Sequence, residues 1–283
     1  MESVIYNYIF NYQIFSSFTA FLRFIICGYL TYLFFNIRED AWNFSRNDYI
    51  FNSKSYKELC YFYYPQVSLF NYFESTFAQK TIFICFFIFG IFSTIGFLTN
   101  FSLLIFFICF VSIQSRIFPI IFNGGDSVSR LLVLCLLLTD CGSRYSIDNL
   151  IGISTNQDQV DGWAIRLLQI NIAFIYFWSS LYKLNDQFWI EGIIIKNATA
   201  SKLWGRQLYL KYFSLPIVSK TLTYSVLIFE YFAPLLLLLP ETQLLAAFFA
   251  MSMHLGICIF MRIGYFAPIM VICACSFMNS LFK

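Results

Sequence analysis

The residue types best able to do chemistry in this chain are a lysine, a histidine, a glutamate and an arginine set inside long apolar runs. Lys183 closes the run that begins near Ile165, in the sequence Tyr182-Lys183-Leu184-Asn185, with Trp189 a few residues on. His254 follows Met251-Ser252-Met253, and Arg23 and Glu230 lie within their own runs. An amine at the mouth of an apolar helix can serve as a base, because burial disfavours the ammonium form and makes the neutral amine available. The same amine can instead snorkel to the lipid headgroups on its four-carbon stem. Position alone leaves both readings open for Lys183.

Charges in such places are expensive. Near a bilayer centre each costs roughly 2.5–3.5 kcal/mol on insertion scales. Three left unpaired would cost on the order of 10 kcal/mol, comparable with the stability of a whole domain. They are therefore expected to face a bundle interior and find partners. Glu230 can pair with Arg23 or with Lys183, and Gln114, Gln169 and Asn171 can add neutral hydrogen bonds. A structural ion pair is one reading of Arg23 and Glu230, and a satisfied core histidine is one reading of His254.

The elements that position these groups follow from composition. The 283 residues are 59% hydrophobic and 12% charged, about half the charge fraction of a soluble domain. Polar surface this scarce cannot cover a globule in water, so lipid is the expected solvent for much of the surface. Apolar runs recur at about eight places: 18–35, 81–97, 101–118, 127–141, 165–184, 221–239, 243–260 and 264–281. The fourth is short. Leu98-Thr99-Asn100 separates the second from the third, and Pro240-Glu241-Thr242 the sixth from the seventh. The fold class is an all-α integral membrane protein, a bundle of about eight transmembrane helices with interfacial loop segments.

Two polar connections, 36–80 and 185–220, are rich in Tyr and Trp and suit amphipathic segments at the interface. With eight spans they share a face with Arg116, Arg130 and Arg262, which positive-inside counting makes cytoplasmic. The net charge of +3 is too small to argue for nucleic acid. The nine cysteines form no Cys-x-x-Cys pair and read mainly as small buried hydrophobes. One histidine and no clustered thiols leave little from which to build a metal site. No basic segment precedes the first apolar run, which argues against a cleaved signal peptide. Asn123-Gly124-Gly125-Asp126 reads as a turn and helix N-cap, with backbone amides that can also meet an anionic or carbonyl ligand.

Several motifs carry a resemblance. Asn123-Gly124-Gly125-Asp126 with Ser143-Arg144-Tyr145-Ser146-Ile147-Asp148 forms one block. Arg166-x-x-Gln169, Ile175-Tyr176-Phe177, Tyr182-Lys183-Leu184 and Trp189-x-x-Gly192 form a second, and Glu230 and His254 follow. In this order the chain resembles the HTTM (horizontally transferred transmembrane) domain family, over roughly residues 15–280. That family is shared by vitamin K-dependent gamma-glutamyl carboxylases and bacterial proteins such as sporulation-delaying protein B.

The resemblance implies Lys183 as the base that activates a reduced quinone, either vitamin K-type or menaquinol. Oxygen, and carbon dioxide in a carboxylase-like reaction, would be co-substrates. With Lys183 as base, His254 is the candidate catalytic partner and Arg23, Asn123, Gln169 and Glu230 form the candidate supporting polar network. Asn123-Gly124 stands where the carboxylase has an Asn-His pair, and the chain ends at Lys283 directly after its last apolar run. The expectation is therefore one HTTM-like transmembrane domain over 1–283, without the carboxylase's extramembrane C-terminal domain. The carboxylase arrangement implies a lumenal position for the loop after Lys183, opposite to the charge count. Three functions stay open. One is quinone-linked modification or maturation of a secreted peptide. Another is a non-catalytic accessory, export or immunity role in a secreted-peptide system. The third is lipid or ion handling, with the buried charges in gating or structural roles. The implied partners are the lipid bilayer, a peptide precursor and accessory membrane proteins, in a bacterial cell membrane.

Overall fold

The computed structural model describes residues 2–47, 56, 58, 68–117 and 123–282. Its helices follow the apolar runs. We label eight of them: α1 Ser16–Asn36, α2 Thr76–Ile95, α3 Thr99–Ile117, α4 Gly124–Leu137, α5 Trp163–Lys183, α6 Pro216–Leu238, α7 Pro240–Phe260 and α8 Phe266–Cys275. Among the described residues six of these, all but α4 and α8, are long and apolar enough to cross a membrane. The fourth and eighth apolar runs give shorter helices. α4 has 14 residues, and α8 has 10, about 15 Å at the α-helical rise. The chain after α8 turns at Ser276 and ends in a 3₁₀ turn, Asn279–Phe282, so apolar sequence continues where the helix does not.

The chain divides into two compact units, Met1–Ala164 and Ile165–Lys283. In the first, α2 packs on α1 and on α3, and α4 packs on α3. Phe86 stacks on Phe106 at 5.0 Å between ring centroids, and Phe106 on Phe110 at 5.9 Å, filling the seam with buried aromatic surface. A short antiparallel pair, β1 Gln13–Phe15 with β2 Gln159–Asp161, ties the start of α1 to the strand that leads into α5. The outward faces of α1–α3 stay apolar, with Phe24, Phe77, Ile84 and Phe101 exposed, as lipid-facing surfaces should be.

The turn from α2 to α3 is set by one acidic cap. Gly96 ends α2 in the left-handed region at φ +71. Asp148 then accepts from the backbone amides of Leu98 and Thr99, both at 2.7 Å, and from the Thr99 hydroxyl at 2.6 Å. These are the donors that a helix N-terminus leaves unsatisfied. Asp148→Ala strands two amides and a hydroxyl in a buried site and is expected to cost roughly 3 kcal/mol. A thermal or denaturant melt that moves no more than for an exposed Asp140→Ala control would refute this cap.

In the second unit, α7 packs on α6 and α8. Only Leu239 separates α6 from α7, a tighter break than the three residues read from sequence, because Pro240 takes the first helical position where its missing N–H is harmless. Three short helices, Gln187–Ile190, Ile194–Ala200 and Leu210–Phe213, fill the connection from α5 to α6.

Candidate functional site

A row of charged and hydrogen-bonding groups lies along one stripe of α5. Arg166, Gln169, Ala173, Tyr176, Ser180 and Lys183 recur at the three- and four-residue spacing that puts side chains on one helix face. All but Lys183, which is part-exposed at the helix end, are buried.

Lys183 Nζ donates to both carboxylate oxygens of Glu230 on α6. Of the two partners open to Glu230 from sequence, the structure gives Lys183. The lysine side chain is 21% exposed and the glutamate 6%, so the pair lies at the edge of the buried stripe with its acid inside. The ammonium also sits 4.6 Å from the centroid of the Trp189 ring, a cation–π contact that shields one side of it. On α6, Pro234 lies four residues after Glu230, so the Glu230 carbonyl has no helical N–H to accept. The acid therefore stands at a weak point of its own helix ladder.

Two turns before Lys183, the Tyr176 hydroxyl lies 2.9 Å from Nε2 of His254 on α7. Both side chains are at most 3% exposed. Phe229 meets the Tyr176 ring edge-on at 5.6 Å, and Phe266 meets the His254 ring at 6.0 Å, so the hydrogen bond is walled by aromatics. Nδ1 of His254 is buried with no hydrogen-bond partner among the described residues. Further along the stripe, Gln169 donates to the Ser276 carbonyl at 2.6 Å and accepts from Arg166 at 2.9 Å, fastening α5 to the chain just after α8.

The remaining predicted site residues lie in the first unit with structural partners. Arg23, 1% exposed, donates to the carbonyls of Tyr145 at 2.6 Å and Ser93 at 3.4 Å rather than to an acid. Asn123 caps α4 in a capping box with Asp126, accepting from Gly125 N at 3.0 Å. That turn spends the amide that could have met a ligand. Arg116, expected to join the basic face, is buried on carbonyl and amide oxygens of Ser45, Asn47 and Asn71, with its guanidinium 4.5 Å from the Tyr56 ring centroid. Sequence reasoning gave Tyr176 no role. Its signal was the seven-residue spacing to both Gln169 and Lys183.

Compared with known families, a model of the HTTM domain matches residues 32–281. The chain belongs to the HTTM family. No curated protein and no solved structure matches it. With six membrane-length apolar helices among its described residues, this HTTM protein is a multi-pass integral membrane protein whose solvent is the lipid bilayer.

An ion pair beside a buried tyrosine–histidine hydrogen bond can store and hand over a proton. Moving the proton from Lys183 to Glu230 yields a neutral amine and a neutral acid, and the pair as a whole gains no charge. Such a shift is cheap in a low-dielectric site, where separating charge is not.

Proposed function

We propose that this HTTM protein carries out quinone-linked modification or maturation of a secreted peptide in a bacterial cell membrane, with Lys183 as the base. The observation that supports this most directly is the Lys183–Glu230 pair, half-sheltered under Trp189 on the same face of α5 as Tyr176, which is hydrogen-bonded to His254. The part-exposed Lys183 amine beside the Trp189 ring fits an acidic ring hydroxyl. A reduced quinone of vitamin K or menaquinol type would supply reducing electrons to oxygen, with carbon dioxide as a further substrate in a carboxylase-like reaction. In the resting pair the Lys183 ammonium donates to the Glu230 carboxylate. Glu230 takes it, and the neutral Nζ then accepts a proton from the substrate hydroxyl. His254, with one ring nitrogen uncommitted, holds or relays a second proton through Tyr176. Arg166 and Gln169 act at a distance by fixing α5.

The test is oxygen-dependent oxidation of reduced vitamin K and of menaquinol by the lipid-reconstituted protein. Loss of a positioned base is expected to slow Lys183→Ala by about a hundredfold or more, with a melting curve that shows the variant folded. No turnover by folded wild-type protein with either quinol would end this reading. The accessory, export or immunity role in a peptide system would then stand in its place, since an ion pair already satisfied by Glu230 and Trp189 also suits a purely structural role.

A further inference from the structure

A second site, made by residues other than those of the Lys183 group, lies at the C-terminal end of α7, about one turn beyond His254. The chain before Leu210 returns to pair with the end of α7. Gly205 and Met261 form an antiparallel bridge, Arg206 N donates to Phe260 O at 2.9 Å, and Arg262 N donates to Trp204 O at 2.7 Å. Arg206 and Arg262 each follow one member of this pair, so the bridge brings them from distant parts of the sequence to diagonal positions on one face, and both line one cavity of about 460 Å³. Ile257, Met261, Ala267 and Pro268 supply apolar wall, and no acidic residue lines the cavity.

Neither guanidinium has a carboxylate partner among the described residues. The Arg206 Nε donates to the Met261 carbonyl at 3.3 Å, which steers the rest of that guanidinium. The first turn of α8 opens on the same cavity through Ala267, and α8 has no side-chain cap at its N-terminus. Its positive dipole end thus adds to the two guanidiniums. Around the cavity, Phe260 contacts Tyr209 and Phe213, and Trp204, Tyr209 and Tyr212 are exposed. A Trp/Tyr collar of this kind marks the level of the lipid headgroups.

The bridge has its own steric lock. A Cβ on Gly205 would lie 2.1 Å from the Thr199 carbonyl oxygen and 2.8 Å from that of Ala198, so only glycine fits there.

We propose that the Arg206–Arg262 cavity binds a phosphate-type anion at the membrane surface. Two guanidiniums with no internal counter-ion match phosphate oxygens, and the apolar wall matches the glycerol and first methylenes of a phospholipid. The shared chemistry is a phosphate monoanion or dianion, carried either by an anionic lipid or by a free phosphate.

Isothermal titration of the purified protein in neutral detergent distinguishes the sources. The probes are dihexanoylphosphatidylglycerol, dihexanoylphosphatidylcholine and inorganic phosphate. The wild-type protein is expected to bind phosphatidylglycerol over phosphatidylcholine, with Arg206→Gln/Arg262→Gln at least about tenfold weaker and Arg206→Lys/Arg262→Lys intermediate. Phosphate binding that shows the same losses assigns the site to a free phosphate group; phosphate that fails to bind assigns it to a lipid headgroup. Equal binding of both lipids with no response to phosphate, or unchanged affinity in the folded glutamine variant, overturns the proposal. Should the glutamine variant unfold, the wild-type affinity for phosphatidylglycerol between low and high salt decides instead, with no salt dependence counting against the site.

Discussion

Lys183→Met is expected to destabilise the protein far more than Glu230→Gln, although each removes the same ion pair. The difference lies in what is left behind. Removing the amine leaves the Glu230 carboxylate, 6% exposed in the middle of a membrane-length helix, with no other cation bonded to it among the described residues. Breaking a buried pair in this way costs about 3–5 kcal/mol, most of it the desolvation of the stranded charge. Removing the carboxylate leaves an ammonium on the last residue of α5, already 21% exposed and 4.6 Å from the Trp189 ring. Its stem can reach the interface, so the loss should be about half as large. The double variant Lys183→Met/Glu230→Gln strands no charge and should be less damaged than the sum of the two by more than 1 kcal/mol or so. Unfolding in graded denaturing detergent, followed by circular dichroism, reads all three. Equal single losses that add in the double variant would mean that the pair is solvated and carries no proton-holding role.

How much of this could be read in the sequence depends on the range of the interaction. Six long helices follow from apolar run length, because a membrane demands that length wherever the helix sits. The shortness of α8 does not follow, since Phe277 and Met278 extend the apolar run while the backbone turns. The charges in the spans are conspicuous because each is costly in hydrocarbon, so Lys183, Glu230 and His254 stand out as residues. Their partners are another matter. Glu230 had two cations to choose from, and only the packing of α5 on α6 selects Lys183. Tyr176 is one of 19 tyrosines, and nothing but its register on α5 separates it from the rest. Arg116 read as a surface charge because no local pattern announces that Ser45, Asn47 and Asn71 return to cap it. Arg206 and Arg262 become neighbours through a backbone bridge, which leaves no trace in periodicity. Chemistry at a single residue was legible; chemistry made by two distant segments was not.

Gly96→Ala is expected to be the most damaging single methyl in the first unit, and Gly152→Ala shows why the methyl itself is only part of the cause. Both glycines lie in the left-handed region, Gly96 at φ +71 and Gly152 at φ +78. Alanine in that conformation costs roughly 1 kcal/mol at either place. At Gly152 a Cβ would meet nothing within 4 Å, so the strain is the whole effect. At Gly96 it would lie 1.7 Å from Nη1 of Arg23 and 2.5 Å from Cβ of Ser146. Arg23 has nowhere to go. It is 1% exposed and held at 2.6 Å on the Tyr145 carbonyl, and the Gly96 carbonyl itself accepts from Asp148 N at 3.0 Å. Displacing the guanidinium strands a buried charge, and shifting Gly96 instead pulls Asp148 off the amides of Leu98 and Thr99. Either route adds a loss of about 3 kcal/mol or more to the backbone strain, a total seen only for severe core lesions. Melting temperatures of the two variants in the same detergent test this directly. A Gly96→Ala shift no larger than that of Gly152→Ala would show that Arg23 yields freely, and that the α2–α3 turn is not locked by the arginine beneath it.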